Sequence, residues 1–245
     1  MDPLDFGGKT VLVVGGSSGI GNGIARAFLD RGATVHVWGT RAVAHAYDAV
    51  EGSDLAGLHY SCVDVADAEA IARWAPQFEK LDVLIQSQGT VVYKRGEFAP
   101  AGWNAVLRVN LDSLMLIAMK FRDALMRDGG GSIVIVSSIS GLQANIANPA
   151  YSASKAGAIS LTKVLGKAWA RDGIRVNGIA PGLVATKLTA VTTSHPERLA
   201  GAVAAIPDGR AGTPQDMGNA AMFLASPLAG YVTGHTLVVD GGLSL

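Results

Sequence analysis

Tyr151 and Lys155 lie four residues apart in Pro149-Ala150-Tyr151-Ser152-Ala153-Ser154-Lys155, a spacing that brings two side chains to one face of a helix, one turn apart. A phenol with an ordinary pKa near 10 is a poor base at neutral pH, and an ammonium beside it favours the phenolate. Such a pair can exchange a proton with a substrate near the working pH. Ser138 stands thirteen residues before Tyr151, just after the apolar run Ser132 to Val136, and its hydroxyl can donate to a substrate oxygen. A Tyr and a Lys at helical spacing also describe an ordinary solvated face, so the weight falls on what surrounds them.

A second cluster is Gly15-Gly16-Ser17-Ser18-Gly19-Ile20-Gly21, set between an apolar run at Thr10 to Val14 and a helix-period stretch from Ile20 to about Arg31. Glycines at a strand-to-helix turn let the backbone approach a pyrophosphate closely, while the free N–H groups and positive end of the helix stabilise its charge. The five histidines, His36, His45, His59, His195 and His235, show no paired metal spacing, and Tyr plus Lys chemistry needs no Lewis acid, so no catalytic metal is expected.

Positioning these groups requires a scaffold, and the alternation of short apolar runs with helix-period stretches supplies one. Thr10 to Val14, Thr34 to Trp38, Gly57 to Cys62, Val83 to Gln86, Ser132 to Val136, Ile174 to Ile179 and Leu237 to Val239 read as strands, with helices between them. Runs apolar at successive positions, such as Ile133-Val134-Ile135-Val136, suit a parallel sheet covered on both faces. The expected fold is a single α/β domain of Rossmann-like, doubly wound type, a parallel seven-stranded sheet with helices on both faces. Ser138 then falls at the carboxyl edge of the sheet, where such folds bind ligands. Two long helices are expected, from about Pro100 to Asp128 and from Pro149 to Asp172. Both carry apolar residues on more than one face, Leu111, Leu114, Met115, Ile117, Ala118 and Phe121 in the first, which points to a homo-oligomer.

Composition removes other classes. With 49% hydrophobic and 16% charged residues the chain has material for a core and too little charge for disorder. Twenty Lys plus Arg against 20 Asp plus Glu leave no basic footprint for nucleic acid or anionic lipid. Met217 to Val239 lacks Asp, Glu, Lys and Arg, but Asn219, Pro227, Gly230 and Gly234 interrupt it, so it reads as buried helix, loop and strand rather than a membrane span. Met1 to Gly8 carries Asp2 and Asp5 where a secretory signal wants positive charge. The one cysteine, Cys62, has nothing to pair with, reads as a small buried apolar residue, and fits a reducing cytoplasm.

These motifs together resemble the short-chain dehydrogenase/reductase family, and the resemblance runs the length of the chain. It rests on the Gly15, Gly19, Gly21 spacing, on Ser138, Tyr151 and Lys155 at their intervals, and on Asn110 in Val109-Asn110-Leu111. Asn177, Pro181-Gly182, Thr186 and the closing Asp240-Gly241-Gly242 extend it. Two departures stand out: Val14 replaces the family's usual Thr, and Gln86-Ser87-Gln88-Gly89 replaces its Asn-Asn-Ala-Gly.

The resemblance implies an NAD(P)-dependent alcohol dehydrogenase or carbonyl reductase acting on a secondary alcohol or its ketone, with a small-molecule substrate. Asn110, Ser138, Tyr151 and Lys155 would be catalytic. Tyr151 would exchange the proton and Ser138 orient the oxygen. Lys155 would bind the nicotinamide ribose and lower the Tyr pKa, and Asn110 would hold a water connecting Lys155 to solvent. The cofactor would lie along Gly15, Ser17, Ser18, Gly19, Ile20, Gly21, Gly39, Thr40, Arg41, Asp64, Val65, Gln88, Gly89, Tyr151, Lys155, Pro181, Gly182, Val184 and Thr186. Asp64 would hold the adenine amino group, and Val184 and Thr186 the carboxamide. NAD-specific members place an acid at the position of Gly39; with Thr40 and Arg41 following instead, NADP(H) is favoured over NAD(H). Residues 183–210, including His195, would fold over the substrate, whose nature Val91, Tyr93, Lys94, Gln143 and Asn145 would help set. A homotetramer is the expected assembly. A nucleotide-binding sensor or scaffold without turnover is the alternative, but such members usually lose one of the four catalytic residues.

Overall fold

A computed structural model describes residues 2–245 of the chain. Seven strands, β1 (Thr10–Val14), β2 (Thr34–Gly39), β3 (His59–Cys62), β4 (Val83–Gln86), β5 (Ser132–Val136), β6 (Arg175–Pro181) and β7 (Thr236–Val239), form one sheet in the order β3-β2-β1-β4-β5-β6-β7. Every neighbouring pair is parallel. The chain crosses from one half of the sheet to the other between β1 and β4, and a crevice opens beyond their carboxyl ends.

The strands bury both faces, and successive residues serve different cores. Val11 and Val13 of β1, Val35 and Val37 of β2 and Val134 of β5 pack on one side with Ile24, Ala25 and Phe28 of helix α1 (Gly19–Leu29). Met217, Ala221 and Met222 of a second helix, Pro214–Ala225, join them. These two helices touch at glycine: a Cβ on Gly23 would lie 2.3 Å from Cβ of Pro214. On the other side Leu12, Val14, Leu84, Ile133 and Ile135 meet Leu114, Ile117, Phe121 and Leu125 of the helix Ser113–Met126 and Leu165 and Trp169 of the helix Pro149–Trp169. The expected strands are all present, with ends shifted by at most two residues.

Two expectations change. The stretch from Pro100 to Asp128 is not one helix but α-helix Pro100–Leu107, a π-helical turn Arg108–Asp112, and α-helix Ser113–Met126. The extra residue in that turn re-aims Asn110 into the molecule, where it is 1% exposed, a placement typical of π-turns at working sites. Cys62 is exposed rather than buried; it ends β3, the outermost strand of the sheet, which has a neighbouring strand on one side only. The second long helix ends near its expected limit, at Trp169, followed by a 3₁₀ turn over Ala170–Asp172.

Arg175 closes the carboxyl end of the Pro214–Ala225 helix. Its guanidinium donates to the carbonyls of Leu224 (2.6 Å), Ala225 (2.9 Å), Ser226 (3.2 Å) and Ala229 (3.2 Å), a cation where the helix dipole is negative and the last carbonyls have no partners. Replacing Arg175 with Met leaves the Ala225 carbonyl unmet and takes one donor from each of the other three, which keep a bond from Ser132, Ala229 or Val232; urea unfolding is expected to show a loss of about 2 kcal/mol.

Candidate active site

Beyond the β1 and β4 ends lies a cleft of about 450 Å³. Its floor is the glycine turn, where backbone takes the place of side chains. Gly15 and Gly19 have φ of +75° and +57°, the left-handed region that glycine enters at no steric cost. A Cβ on Gly21 would sit 2.2 Å from the Gly15 carbonyl oxygen, and one on Gly15 2.8 Å from the Gln88 nitrogen. Helix α1 starts here with Ser18 at its N-cap, no side-chain cap bond and no acidic residue in its first turn. A Cβ-free cradle under the uncapped positive end of a helix fits the pyrophosphate of a dinucleotide.

The other expected cofactor positions line the same cleft with one exception. Ser17, Ser18, Ile20, Gly39, Thr40, Asp64, Val65, Gln88, Gly89, Pro181, Gly182, Val184 and Thr186 are on its wall, with Ser138, Tyr151 and Lys155 at one end. Arg41 is not. Its guanidinium lies 4.8 Å above the Tyr47 ring and donates to the Ala46 carbonyl. Asp64 serves both its loop and the cleft, one oxygen accepting the Ala66 N–H at 2.9 Å.

Tyr151 and Lys155 rise from the first turns of helix α5, the name used hereafter for Pro149–Trp169. Lys155 Nζ is 5.6 Å from the Tyr151 ring centroid and donates to the Val136 carbonyl at the end of β5, at 2.9 Å. Burial of this ammonium lowers its pKa to about 8. Burial pushes the Tyr151 phenol up; a hydrogen bond with Ser138 pulls it down, and Tyr93 and Glu97 push it up again. The net direction is opposite to the one Lys155 alone would impose, because desolvation of the phenolate is the largest influence. Ser138 is 8% exposed, and its Oγ accepts the Ser140 N–H at 3.1 Å.

Asn110 is close to this group but behind the cleft wall. Its Oδ1 accepts the Thr90 N–H at 2.8 Å, and its Nδ2 donates to the Thr90 carbonyl at 2.9 Å and to Ser154 Oγ at 3.1 Å. Ser154 Oγ in turn donates to the Tyr151 carbonyl at 2.7 Å. Asn110 thus ties the loop after β4 to helix α5, with Gly89 in front: a Cβ there would lie 3.6 Å from Lys155 Nζ and 3.8 Å from Asn110 Oδ1.

The two glutamines of the departure at β4 build a network of their own. Gln86 Nε2 donates to the Leu114 carbonyl at 3.1 Å, and Gln88 Nε2 donates to Gln86 Oε1 (3.3 Å) and Ser113 Oγ (2.9 Å). The roof of the cleft comes from the segment after β6, closed at its base by the Val184–Gly212 bridge. It contributes Lys187, Leu188 and Thr189 to the wall. Thr189 Oγ1 donates to the Val184 carbonyl at 2.6 Å, and the Tyr93 hydroxyl reaches across to the Leu188 carbonyl.

Of the other substrate-side positions, Gln143 Nε2 donates to the Ser244 carbonyl at 3.1 Å and Asn145 Oδ1 accepts the Ala147 N–H at 3.2 Å. Lys94 and Arg95 are exposed, with φ of 55° and 60°, and Arg95 packs over the Phe98 ring. His195 is exposed at the start of a short helix, Pro196–Ala204, and does not line the cleft.

Sequence reasoning missed Tyr47, Glu97 and Lys187. Only Lys187 carried a local signal, its place beside Thr186; the other two reach the site through tertiary contacts. Tyr47 fills the space an acid at position 39 would need: its hydroxyl oxygen accepts the N–H groups of Thr40 (3.1 Å) and Arg41 (3.2 Å), and a Cβ on Gly39 would lie 2.7 Å from it and 2.7 Å from Ser17 Oγ.

Comparison with known proteins gives the same picture. The family model described as enoyl-(acyl carrier protein) reductase matches residues 14–244. The chain is 36% identical over 250 residues to a 3-oxoacyl-(acyl-carrier-protein) reductase of Chlamydia pneumoniae, covering 97% of each. It is also 36% identical over 249 residues to a 2-dehydro-3-deoxy-D-gluconate 5-dehydrogenase of Bacillus subtilis, covering 98% of this chain and 96% of the relative. Among solved structures, the NADP active-site complex of Pseudomonas aeruginosa RhlG superposes with a TM-score of 0.91 at 30% identity, covering 100% of both chains. On fold, motif spacing and similarity along nearly its whole length, the chain belongs to the short-chain dehydrogenase/reductase family.

Proposed function

We propose that this protein is an NAD(P)-dependent oxidoreductase, an alcohol dehydrogenase or carbonyl reductase that interconverts a secondary alcohol and its ketone. The observation that carries the reading is the pairing in one cleft of a Cβ-free phosphate cradle with the Ser138, Tyr151 and Lys155 group. The two relatives' names support the substrate class, since a 3-oxoacyl group and position 5 of a sugar acid are both internal carbons of a chain.

The nicotinamide cofactor, when bound, supplies or accepts the hydride. The chain's own residues then handle the oxygen and its proton. Ser138 Oγ donates to the substrate oxygen and holds it against the phenol. Tyr151 Oη gives its proton to that oxygen during reduction and takes it back during oxidation. The buried Lys155 ammonium, anchored to the Val136 carbonyl, stabilises negative charge that develops on the phenol. Asn110 fixes the loop after β4 against helix α5, so that Gly89 and Tyr151 keep their separation. The glycine turn and the α1 N-terminus would hold the pyrophosphate, Val184 and Thr186 the carboxamide, and the lid over 183–210 would fold over the substrate.

Tyr151→Phe keeps the ring and removes the proton-exchanging oxygen. Turnover on a panel of secondary alcohols and ketones is expected to fall about a hundredfold or more, with cofactor affinity retained by fluorescence titration; near-normal turnover would refute the assignment.

NADP(H) is the favoured cofactor in this reading. No carboxylate occupies position 39, and the neighbouring RhlG structure holds NADP. Arg41, stacked on Tyr47, follows Thr40 of the cleft wall and is the cation that would meet a 2′-phosphate. Arg41→Ala should raise KM for NADP(H) several-fold while leaving KM for NAD(H) nearly unchanged, since a charge-assisted phosphate contact is worth about 1.5–3 kcal/mol; equal effects on both cofactors would remove Arg41 from the phosphate site.

The same reading includes a single catalytic domain, a cytoplasmic setting and a homotetramer. Among the described residues no helix is long and apolar enough to cross a membrane. Met115, Leu116 and Met119 are exposed on the helix Ser113–Met126, and Val164 on α5, an apolar surface of the kind that a second copy covers. Light scattering at micromolar concentration should give the mass of four chains; a monomer there would count against the assembly.

A further inference from the structure

Helix α5 has no cap of its own. Asn148 stands at the N-cap without a side-chain bond to the helix, Pro149 has no N–H, and the bond from the Ser152 N–H to the Asn148 carbonyl (3.0 Å) begins only beyond Tyr151. The Tyr151 N–H, in the first turn where helical N–H groups have no intrahelical partner, donates instead to Glu97 Oε2 at 2.9 Å. Glu97 Oε1 accepts the Val92 N–H at 3.1 Å and Asn148 Nδ2 at 3.2 Å. This carboxylate is 1% exposed, and none of the ion pairs among the described residues includes it. Its charge is held by three N–H donors and by the positive end of a 21-residue helix. A buried acid without a cation is an expensive feature to place beneath a side chain that moves protons.

We propose that Glu97 is a positioning residue for Tyr151, fixing the first turn of helix α5 to the loop after β4 and to Asn148, and setting the charge that the phenol faces. The proposal rests on the reading of Tyr151 as the proton-exchanging group. Three segments that border the substrate end meet on this one carboxylate: the β4 loop through Val92, the loop after Ser138 through Asn148, and α5 through Tyr151. The groups around the phenol are Lys155 on its own helix, Ser138 after β5, Tyr93 and Glu97 on the loop after β4, and Lys187 of the lid on the same cleft wall. Among them Glu97 is the fixed negative charge, and it acts with burial to keep the proton on the phenol.

The sign follows. Without that charge the phenol loses its proton more readily, so the rise of alcohol-oxidising kcat/KM with pH should move to lower pH in Glu97→Gln. Glu97→Asp keeps the charge and shortens the reach: its pH midpoint should stay in place while kcat falls about tenfold, as misplacement of a reacting group costs, with cofactor KM unchanged. In the wild-type protein, hydrogen exchange at the Tyr151 amide should be slow despite its first-turn position. An unmoved pH midpoint in Glu97→Gln, or a Tyr151 amide that exchanges as fast as an unprotected one, overturns the proposal. The exchange measurement decides the matter even where Glu97→Gln does not fold. Failure of the underlying reading is seen separately, as normal turnover by Tyr151→Phe.

Discussion

The close approach of two backbones at the sheet's crossover point is the constraint on which the rest of the cleft depends. A Cβ on Gly15 would stand 2.8 Å from the Gln88 nitrogen and 3.0 Å from the Ser87 carbonyl carbon, so the turn after β1 and the stretch just after β4 meet without side chains between them. From that contact a line of short bonds runs outward. Gln88 holds Ser113, Ser113 Oγ donates to the Val109 carbonyl at 2.7 Å across the π-turn, the π-turn presents Asn110, and Asn110 reaches Ser154 on helix α5. The glycine turn and the Tyr151 end of the cleft are thus joined by a continuous line of hydrogen bonds, the connection that holding two reactants in register would demand.

Burial acts on Tyr151 and Lys155 in the same sense, toward their neutral forms. In the proposed reading a phenol and an ammonium both pressed toward neutrality would exchange a proton near the working pH. Ser138 supplies the one downward pull on the phenol, and Glu97 opposes it. The balance is set by two different loops, those after β4 and β5, so it depends on the loops keeping their mutual places.

What the sequence made legible was local. Strands apolar on consecutive positions, glycines where backbone must touch backbone, and the thirteen- and four-residue intervals among Ser138, Tyr151 and Lys155 all carry their meaning in a short window. The π-turn was not legible, because one extra residue in a helix leaves the composition of Pro100 to Asp128 helical throughout. Cys62 was misjudged for a related reason: apolar character in a strand does not say whether the strand lies at the middle of a sheet or at its margin. Tyr47 and Glu97 were missed because each acts on a residue remote in sequence or through its hydroxyl on a backbone, and an alternation pattern assigns them nothing more than a turn. Asn177 shows the opposite case. Its motif position was visible, and its amide proves structural, donating to the Val232 carbonyl at 2.8 Å and accepting the His235 N–H at 3.1 Å.

The crowding at Gly39 bears on how such a cleft can diverge. With Ser17 Oγ and the Tyr47 hydroxyl each 2.7 Å from where a Cβ would be, a side chain added there makes both neighbours shift. A carboxylate at position 39 needs Tyr47 to turn aside, and that movement takes the acceptor from the Thr40 and Arg41 N–H groups. Substitutions at 39 and 47 are therefore expected to be coupled. Descendants of this chain that acquire an acid at the end of β2 should carry a replacement of Tyr47 in the same lineage.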